Sequence, residues 1–569
     1  MRALLGLVGL ASMSAIVGCS SNGASAAGDN GGTAGIRGDG GTSAHGGSAG
    51  VAGASGGFGG NTTGKGGGGN GVGGNEGKGG KSGQGGSGGG GGSLGGSAGA
   101  ATAGVGGGSG AAAGGGGTSS GGGGGQSAGG GGVNGGGSAG AGGGAGIPAP
   151  LACTRMVGTG SGSVDIQQAA LGLVDGDVVC IAAGAYSSFH LAKIKADPAH
   201  PITIQNDGVV TFSGSSAGED LTGVVLSGAG KGASDTANGF RFANIGYRAI
   251  TLSGTLHDVT LQYLDFENIG DYTIYVPGAG LVYDGTDATA LTDLKVLHSR
   301  GKAFGDGFLT LSGTTKGPDL VGIARRVEVA YCELSDTPKA SYAFWLGTGF
   351  DAHVHHNRVT GFALQLAQHN GVVFFNGDGV VDHNYFRNYL GEGLRLWPFS
   401  WGQAGKIDVF ANIFLESQKY SAVEIQAFDA DVNRNANTRH TDVRIFNNTA
   451  GHLNMETMLP NNYEPWVAGI VDTYGFSGGK VDVANNLAFD INMQKAGNPF
   501  LNVQGNGVAT LTTNLYFDTW AKAGLLDDTA LHLSPTSPAV SAGTPVTGLG
   551  TDYYGAAYGN PPDIGAVRH

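Results

Sequence analysis

From about residue 240 to residue 517 one short pattern keeps returning: alternating apolar residues, a polar residue that is often Asn, then another apolar pair. It appears in Val259-Thr260-Leu261-Gln262-Tyr263-Leu264, in Val354-His355-His356-Asn357 and in Val381-Asp382-His383-Asn384-Tyr385-Phe386. It returns in Val409-Phe410-Ala411-Asn412-Ile413-Phe414, Ile445-Phe446-Asn447-Asn448 and Val483-Ala484-Asn485-Asn486. With Leu264, Ser299, Cys332, Asn357, Asn384, Asn412, Asn448, Asn486 and Asn514 taken as equivalent, the intervals are 35, 33, 25, 27, 28, 36, 38 and 28 residues. A unit this short cannot bury its own apolar face, so successive units must stack on one another as a solenoid. Apolarity of period 2 inside each unit specifies strands rather than helices. A propeller would need about 40–50 residues per four-stranded blade, longer than most of these intervals.

The first quarter of the chain cannot join such a stack. Of the 118 glycines, 64 lie in residues 21–150, which hold few large apolar side chains. That stretch cannot offset the entropy of ordering glycine, and no strict Gly-X-Y register makes it collagen. Residues 19–147 are expected to form a disordered Gly/Ser-rich tether with a root-mean-square span on the order of 60 Å. Ile147-Pro148-Ala149-Pro150 stiffens its exit, and the folded domain is expected over 148–569. Charge divides the chain at the same place. Residues 1–150 carry five basic and three acidic groups, or +2, so the remainder must carry −15 to reach the net −13. An acidic domain without basic runs excludes nucleic acid as the expected partner but not an acidic sugar polymer.

Met1-Arg2 followed by the small apolar run Ala3 to Val17 reads as a secretory signal over residues 1–18, too short for a membrane span. It ends in Ile16-Val17-Gly18-Cys19, which resembles the lipobox of bacterial lipoproteins. The resemblance implies that Cys19 becomes the first mature residue and carries the lipid anchor. With no Asp after Cys19, the expected address is the outer membrane, surface-exposed or periplasmic. The remaining cysteines are Cys153, Cys180 and Cys332. Cys153 and Cys180 flank the start of the domain and are expected to form a disulfide, the alternative being two buried thiols. Cys332 sits in an apolar repeat and reads as an inert core thiol.

The asparagines follow from a coil of three short strands, in which an Asn facing inward at one turn bonds its counterparts above and below and tolerates a left-handed backbone. This is similar to the right-handed parallel β-helix of the pectate lyase-like superfamily. The resemblance spans about 151–569 and implies an all-β, single-stranded solenoid. Ser163 to Leu171 reads as its short N-terminal capping helix. Gly176-Asp177 with the strand to Gly184-Ala185-Tyr186 resembles the start of many members, and Pro562-Asp563-Ile564-Gly565-Ala566 resembles a common tail. The superfamily's sharper catalytic motifs, Gly-His-Gly, Arg-Ile-Lys and Trp-Ile-Asp-His, are missing.

By the same analogy a polymer lies along the strand stack that closes each unit. Its expected runs are Thr273–Val276, Phe308–Leu311, Ala343–Leu346, Ala363–Leu366, Leu394–Trp397 and Val423–Gln426. Alternation then turns Tyr275, Thr310, Trp345, Gln365, Arg395, Trp397, Glu424 and Gln426 outward. Trp345, Gln365, Trp397 and Gln426 are the expected substrate-binding residues, with the two tryptophans as separate platforms two coils apart. β-Elimination on a uronic acid needs a base for the C5 proton and a cation at the carboxylate. Arg395 or Lys419 is the candidate base, and Asp306, Glu392 and Glu424 are the candidate Ca2+ ligands. An outward Arg395–Glu424 pair is equally compatible with an ordinary cross-strand ion pair. His355, His356 and His383 fall beside the Asn row and read as turn residues. The functional expectation is a surface-anchored, monomeric polysaccharide lyase. A non-catalytic carbohydrate-binding or adhesion module and a glycoside hydrolase using Glu392 and Glu424 are the alternatives.

If the tether contributes nothing to folding, a chain beginning at Ile147 will melt cooperatively at the same temperature as the whole protein. Calorimetry of the two chains checks this, and a large drop for the shorter one would show that the tether packs on the domain.

Overall fold

The computed structural model of the protein describes residues 146–569, apart from residues 279, 317, 365–370, 427–434, 456–468, 477, 494–497 and 506. For residues 314–316, 474–475 and 504–505 the backbone alone is described. The signal segment and nearly all of the proposed tether therefore lie outside the described residues.

Among the described residues thirty-three strands join in one hydrogen-bonded sheet, in which every pairing but one is parallel and links strands of successive units. Parallel partners require a connection long enough to bring the chain round again, which the repeat supplies. Among the described residues the antiparallel strand pairs are Phe399–Trp401 with Thr438–His440 and the small ribbon Thr314–Lys316 with Asp319–Val321. Three stacks result. One contains the strands before the Asn turn, such as Lys406–Phe410 and Asp442–Phe446; the next contains those after it, such as Ile413–Ser417 and Thr449–Leu453. The third contains Ile274–Val276, Gly307–Leu311, Val423–Gln426 and the starts of longer strands such as Glu392–Trp401.

Register makes the core continuous. Leu261, Val296, Val329, Val354, Val381, Val409, Ile445 and Val483 are successive partners, and all are buried. A rung slip of one residue would turn this aliphatic file to solvent, so the register is strongly specified. Phe212, Phe242 and Phe266 form a second file, with ring centroids 5.0 and 4.8 Å apart, which is about the separation of neighbouring strands.

The expected Asn row is present. Asn357, Asn384, Asn412, Asn448, Asn486 and Asn514 are buried or half-buried, and each side-chain oxygen from Asn384 onward accepts both from the backbone N–H and from Nδ2 of the Asn one coil earlier. Asn357 Oδ1 accepts the backbone N–H of Cys332, and Ser299 Oγ accepts that of Leu264, which extends the row toward the N-terminus. One detail differs from expectation. The left-handed residue is not the ladder Asn but the residue before it: Tyr263, His298, Tyr331, His356, His383, Ala411, Asn447, Asn485 and Thr513 all have φ between 49° and 57°. The turn must aim the Asn side chain inward from extended backbone, so the preceding residue absorbs the reversal. Where it is aromatic its ring stacks on the next coil's, as Tyr263–His298, His298–Tyr331 and His356–His383 do at 4.8, 4.8 and 4.7 Å.

The N-terminal cap is also corrected. Ser163–Gln167 is a strand pairing with Ser188–Ala192, and only Gln168–Leu171 turns as a helix. Val164 and Ile166 alternate inward, and that period-2 burial outweighs the helical reading. The disulfide is formed between Cys153 and Cys180, with Cα atoms 5.6 Å apart, and Cys332 is buried and free. Gly176 takes a positive φ, and the Asp177 carboxylate then accepts from Val174 N–H and Thr154 Oγ1, contacts that hold it below the usual carboxylate range. At the other end, residues 518–569 pack beside the solenoid. Leu525, Leu533, Ile564 and Ala566 cover Ile413, Leu415 and Phe489, which accounts for the tail motif.

Asn412→Ala removes an acceptor used by Asn384 and the donor to Val381 O, Phe410 O and Asn448 Oδ1. Buried groups left unpaired in this way cost about 1–3 kcal/mol each, so urea unfolding should show a loss of several kcal/mol. Cys153 and Cys180 close a loop of 27 residues, so replacing both with Ser should cost about 3–4 kcal/mol by the chain-entropy relation.

Candidate functional site

The third stack carries one continuous outward row. Tyr275, Thr310, Trp345, Phe374, Arg395, Glu424, Asp472 and Asn502 are successive partners, one per coil. Most of the row expected from the sequence is therefore present, with one rung changed. The strand that pairs between Trp345 and Arg395 belongs to Gly371–Asp382, so Phe374 takes the place assigned to Gln365. Gln365 lies outside the described residues. Ala363-Leu364-Gln365-Leu366 and Val372-Val373-Phe374-Phe375 both contain apolar residues at alternate positions, and only pairing decides between them.

Trp345 and Trp397 are not separate platforms. Phe374 stacks on Trp345 at 4.7 Å and on Trp397 at 5.5 Å, and the two indoles stand 6.4 Å apart. Tyr342 joins Trp345 at 5.2 Å, Tyr272 lies 6.4 Å from Tyr342, and Tyr275 stacks on Tyr272 at 5.2 Å. The Arg248 guanidinium covers the Tyr275 ring at 3.7 Å and pairs with Asp271. The result is an aromatic strip running along the solenoid. Tyr342, expected from the sequence on a long turn beside the row, opens the strand Tyr342–His355, whereas Phe374 and Tyr272 were not singled out, Tyr272 because it lies outside the strands and its ring reaches the strip only through the stacking of coils.

At its far end the strip meets charge. Arg395 Nε donates to Glu424 Oε1 at 2.8 Å, and Gln426 Nε2 donates to the same oxygen at 2.6 Å. Arg395 also lies over the rings of Trp397 and Phe374, at 5.1 and 5.3 Å. The pair is buried, with Arg395 8% and Glu424 2% exposed, so it is a desolvated ion pair and not the surface pair that an outward position implies. Glu392 and Lys419 form a second charged locus. Leu394 and Leu396 enter the core on the strand Glu392–Trp401, and Glu392 shares their parity. It is buried, as is Lys419. Burial pushes the Lys419 ammonium down to about 8 against the opposing pull of the Glu392 carboxylate. The same burial, with Glu392 nearby, raises the Tyr389 phenol well above its usual range. Lys419 and Glu392 are thus enclosed at the corner of the coil, not displayed on the row with Arg395.

Asp306 lies three coils from Arg395 along the stack, a separation of about 14 Å at the inter-strand spacing. It sits beside Tyr272, whose phenol is pushed up to about 12 by burial first and by the Asp306 carboxylate second. Asp306, Glu392 and Glu424 therefore do not converge. Glu424 is held by Arg395 and Gln426, and Glu392 lies on the other face of its strand. This donor set does not fit Ca2+, which takes six to eight converging oxygens. The pair Glu392 and Glu424 likewise cannot flank one glycosidic bond from opposite faces of the sheet. A cavity of about 400 Å³ lies on the neighbouring stack among Arg241, Glu267, Lys302 and Glu333, away from the strip.

No protein-family model matches the chain, and no curated protein matches it in sequence. Among solved structures it is similar to a PL6 family polysaccharide lyase from Pseudopedobacter saltans, with 12% identity over 62% of this chain and 92% of that one and a TM-score of 0.31. It is also similar to the pectate lyase Pel9A, with 12% identity, coverage of 74% and 98%, and a TM-score of 0.32. A GH87 α-1,3-glucanase catalytic unit from Streptomyces thermodiastaticus gives 16% identity, 62% of this chain, 65% of that chain and a TM-score of 0.31. At such identities and scores the chemistry of these neighbours does not transfer, and the site stands on its own geometry.

Glu424 accepts from the buried Arg395 and from Gln426, so its removal takes away a shared acceptor. Glu424→Ala should therefore cost about 3–5 kcal/mol in denaturant unfolding, whereas Arg395→Met combined with Glu424→Leu should recover most of that loss.

Proposed function

We propose that the chain is a carbohydrate-active right-handed parallel β-helix that takes an acidic polysaccharide along its aromatic strip and cleaves it by β-elimination. The observation that carries this reading is the strip itself: aromatic rings on consecutive coils leading to a cation, Arg395. Sugar rings stack on aromatic faces through their apolar C–H surfaces, and a coil-by-coil strip suits a chain of repeating sugars. Arg395 faces the uronate carboxylate and neutralises the charge that builds there as the C5 proton leaves. Lys419 is the base, since burial brings its neutral form within reach near neutral pH. The electron pair of the C5–H bond forms the C4=C5 double bond, the C4–O bond breaks, and the departing oxygen takes a proton from water. Contact with Lys419 requires the sugar to reach into the Glu392 corner, so that the burial that favours the neutral amine is kept. No step runs through calcium.

The anchor belongs to the same proposal. Cys19 carries the lipid, residues 19–147 reach outward from the outer membrane, and a single β-helix works as a monomer at the end of that tether. Intact-mass measurement of the mature chain tests this, and an unmodified N-terminus beyond Cys19 would refute it.

A second reading is favoured by the enclosure of Lys419 and Glu392 and by the burial of the Arg395–Glu424 pair: a non-catalytic module that grips the glycan with the strip alone. A panel of uronic-acid polysaccharides separates the two. The lyase reading expects ultraviolet-absorbing unsaturated products, no loss on chelation, and a rate that rises through about pH 8 as Lys419 loses its proton. Lys419→Arg keeps the charge and removes that basic limb, and Arg395→Ala abolishes turnover. Trp397→Ala weakens binding more than it lowers the turnover rate, since stacking acts on ground and transition states alike. Retention of glycan with no turnover at any pH, lost on Trp345→Ala or Trp397→Ala, establishes the binding reading instead.

A further inference from the structure

On the opposite side of the coil from the strip, the turns that carry the Asn ladder bring together a group of imidazoles and carboxylates that the carbohydrate reading does not use. We propose that His356, Asp382 and His383 form a binding site for a transition-metal dication of the Zn2+ class. One potential ligand atom from each of the three lies within 4.8 Å of the others. They come from adjacent coils: His356 and His383 precede the ladder residues Asn357 and Asn384, and their rings stack at 4.7 Å with an interplanar angle of 2°. Two imidazole nitrogens and a carboxylate oxygen are a donor set that suits zinc, copper or nickel rather than calcium or magnesium.

The surrounding contacts set the proton positions in the way metal-ligating histidines require. Glu328 Oε1 lies 3.3 Å from His355 Nε2, and a carboxylate only accepts, so that nitrogen carries the proton. His355 Nδ1 and His356 Nδ1 lie 2.9 Å apart, a contact in which His356 donates and His355 accepts. This leaves His356 Nε2 as the nitrogen with a free lone pair, and among the described residues it makes no hydrogen bond. Asp382 is oriented from both sides, by His353 Nε2 and by His383 Nδ1, each at 2.5 Å. His353 is then the outer partner that orients the Asp382 carboxylate, and His355 the one that orients the His356 ring. A dication takes the place of the proton at the Asp382–His383 contact, and binding releases that proton.

The same rings have a plainer use, since Tyr263, His298 and Tyr331 stack in the same column without offering a site. The column supplies the control. Tyr263 and Tyr331 occupy the same left-handed position, so His356→Phe keeps a ring in the stack and removes only the nitrogen. The experiment is calorimetric titration of the metal-free full chain with ZnCl2. Saturable binding near one equivalent is expected, and both His356→Phe and Asp382→Asn should weaken it by at least about tenfold. Each variant is first melted without metal to establish that it folds. Co2+ titration of the wild-type chain gives a readout that needs no variant: ligand-field bands of nitrogen–oxygen coordination are expected. No saturable Zn2+ binding to the wild type, no Co2+ bands, or unchanged affinity in both folded variants overturns the proposal.

Discussion

The side-chain amide of asparagine can accept two hydrogen bonds and donate two, and the solenoid depends on using both capacities at once. Each ladder Asn accepts from the coil before it and donates to the coil after it, while its remaining N–H reaches main-chain carbonyls such as Val381 O and Val354 O. A turn buried between two stacks would otherwise leave main-chain donors without partners, at about 1–3 kcal/mol each. The ladder also admits only one register. A coil shifted by a residue would present His356 or His383 in place of the Asn and expose the Val354–Val381–Val409 file. Long and variable excursions elsewhere, such as those giving intervals of 36 and 38 residues, are tolerated because this turn re-establishes the alignment each time.

That alignment makes the strip possible. No single unit of the sequence contains an aromatic cluster of the observed size. Tyr342, Trp345, Phe374 and Trp397 come from three coils and meet because register brings residues about 20–30 positions apart onto neighbouring rungs. The same stacking determines which charges stay outward and which are enclosed. Arg395 keeps its outward position but is buried, and it donates to Glu424, whose same oxygen also accepts from Gln426. Glu392, three residues earlier on the same strand, has inward parity, and its burial is relieved by Lys419. One strand thus holds two electrostatic environments, an ion pair against aromatic faces and a lysine whose ammonium form is disfavoured.

The ends of the solenoid need different devices, because a first and a last coil each lack a neighbour. At the N-terminal end the Cys153–Cys180 bond ties the entering chain to the first full strand, and Asp177 closes the turn beside it. Toward the C-terminal end, residues 518–569 fold back along the side of the stack. Asn447 and Asn485, at the left-handed positions next to the ladder, donate to Asp563 O and Thr544 O, and His383 Nε2 lies 3.1 Å from Thr551 O. The left-handed position therefore does more than reverse the chain. According to its side chain it stacks, bonds the tail, or, in the proposal above, ligates a metal.

Several features follow from the sequence alone: the strand class, the stacked repeat, the identity of the ladder residues, the disulfide pair, and most of the outward row from Tyr275 to Glu424. They are legible because each is written in short-range periodicity or in one polar residue per unit, and such signals survive without knowledge of partners. Tertiary structure decided the rest. Phe374 displaced the rung assigned to Gln365 because strand pairing, not alternation, chooses between two neighbouring apolar runs. Ser163–Gln167 became a strand because an open coil beside it offered partners. The separation of Asp306 from Glu392 and Glu424, the enclosure of Lys419, and the meeting of His356 with Asp382 and His383 depend on distances across coils. Burial and electrostatic coupling are properties of neighbours in space, and a linear sequence carries no measure of them until the coils are stacked.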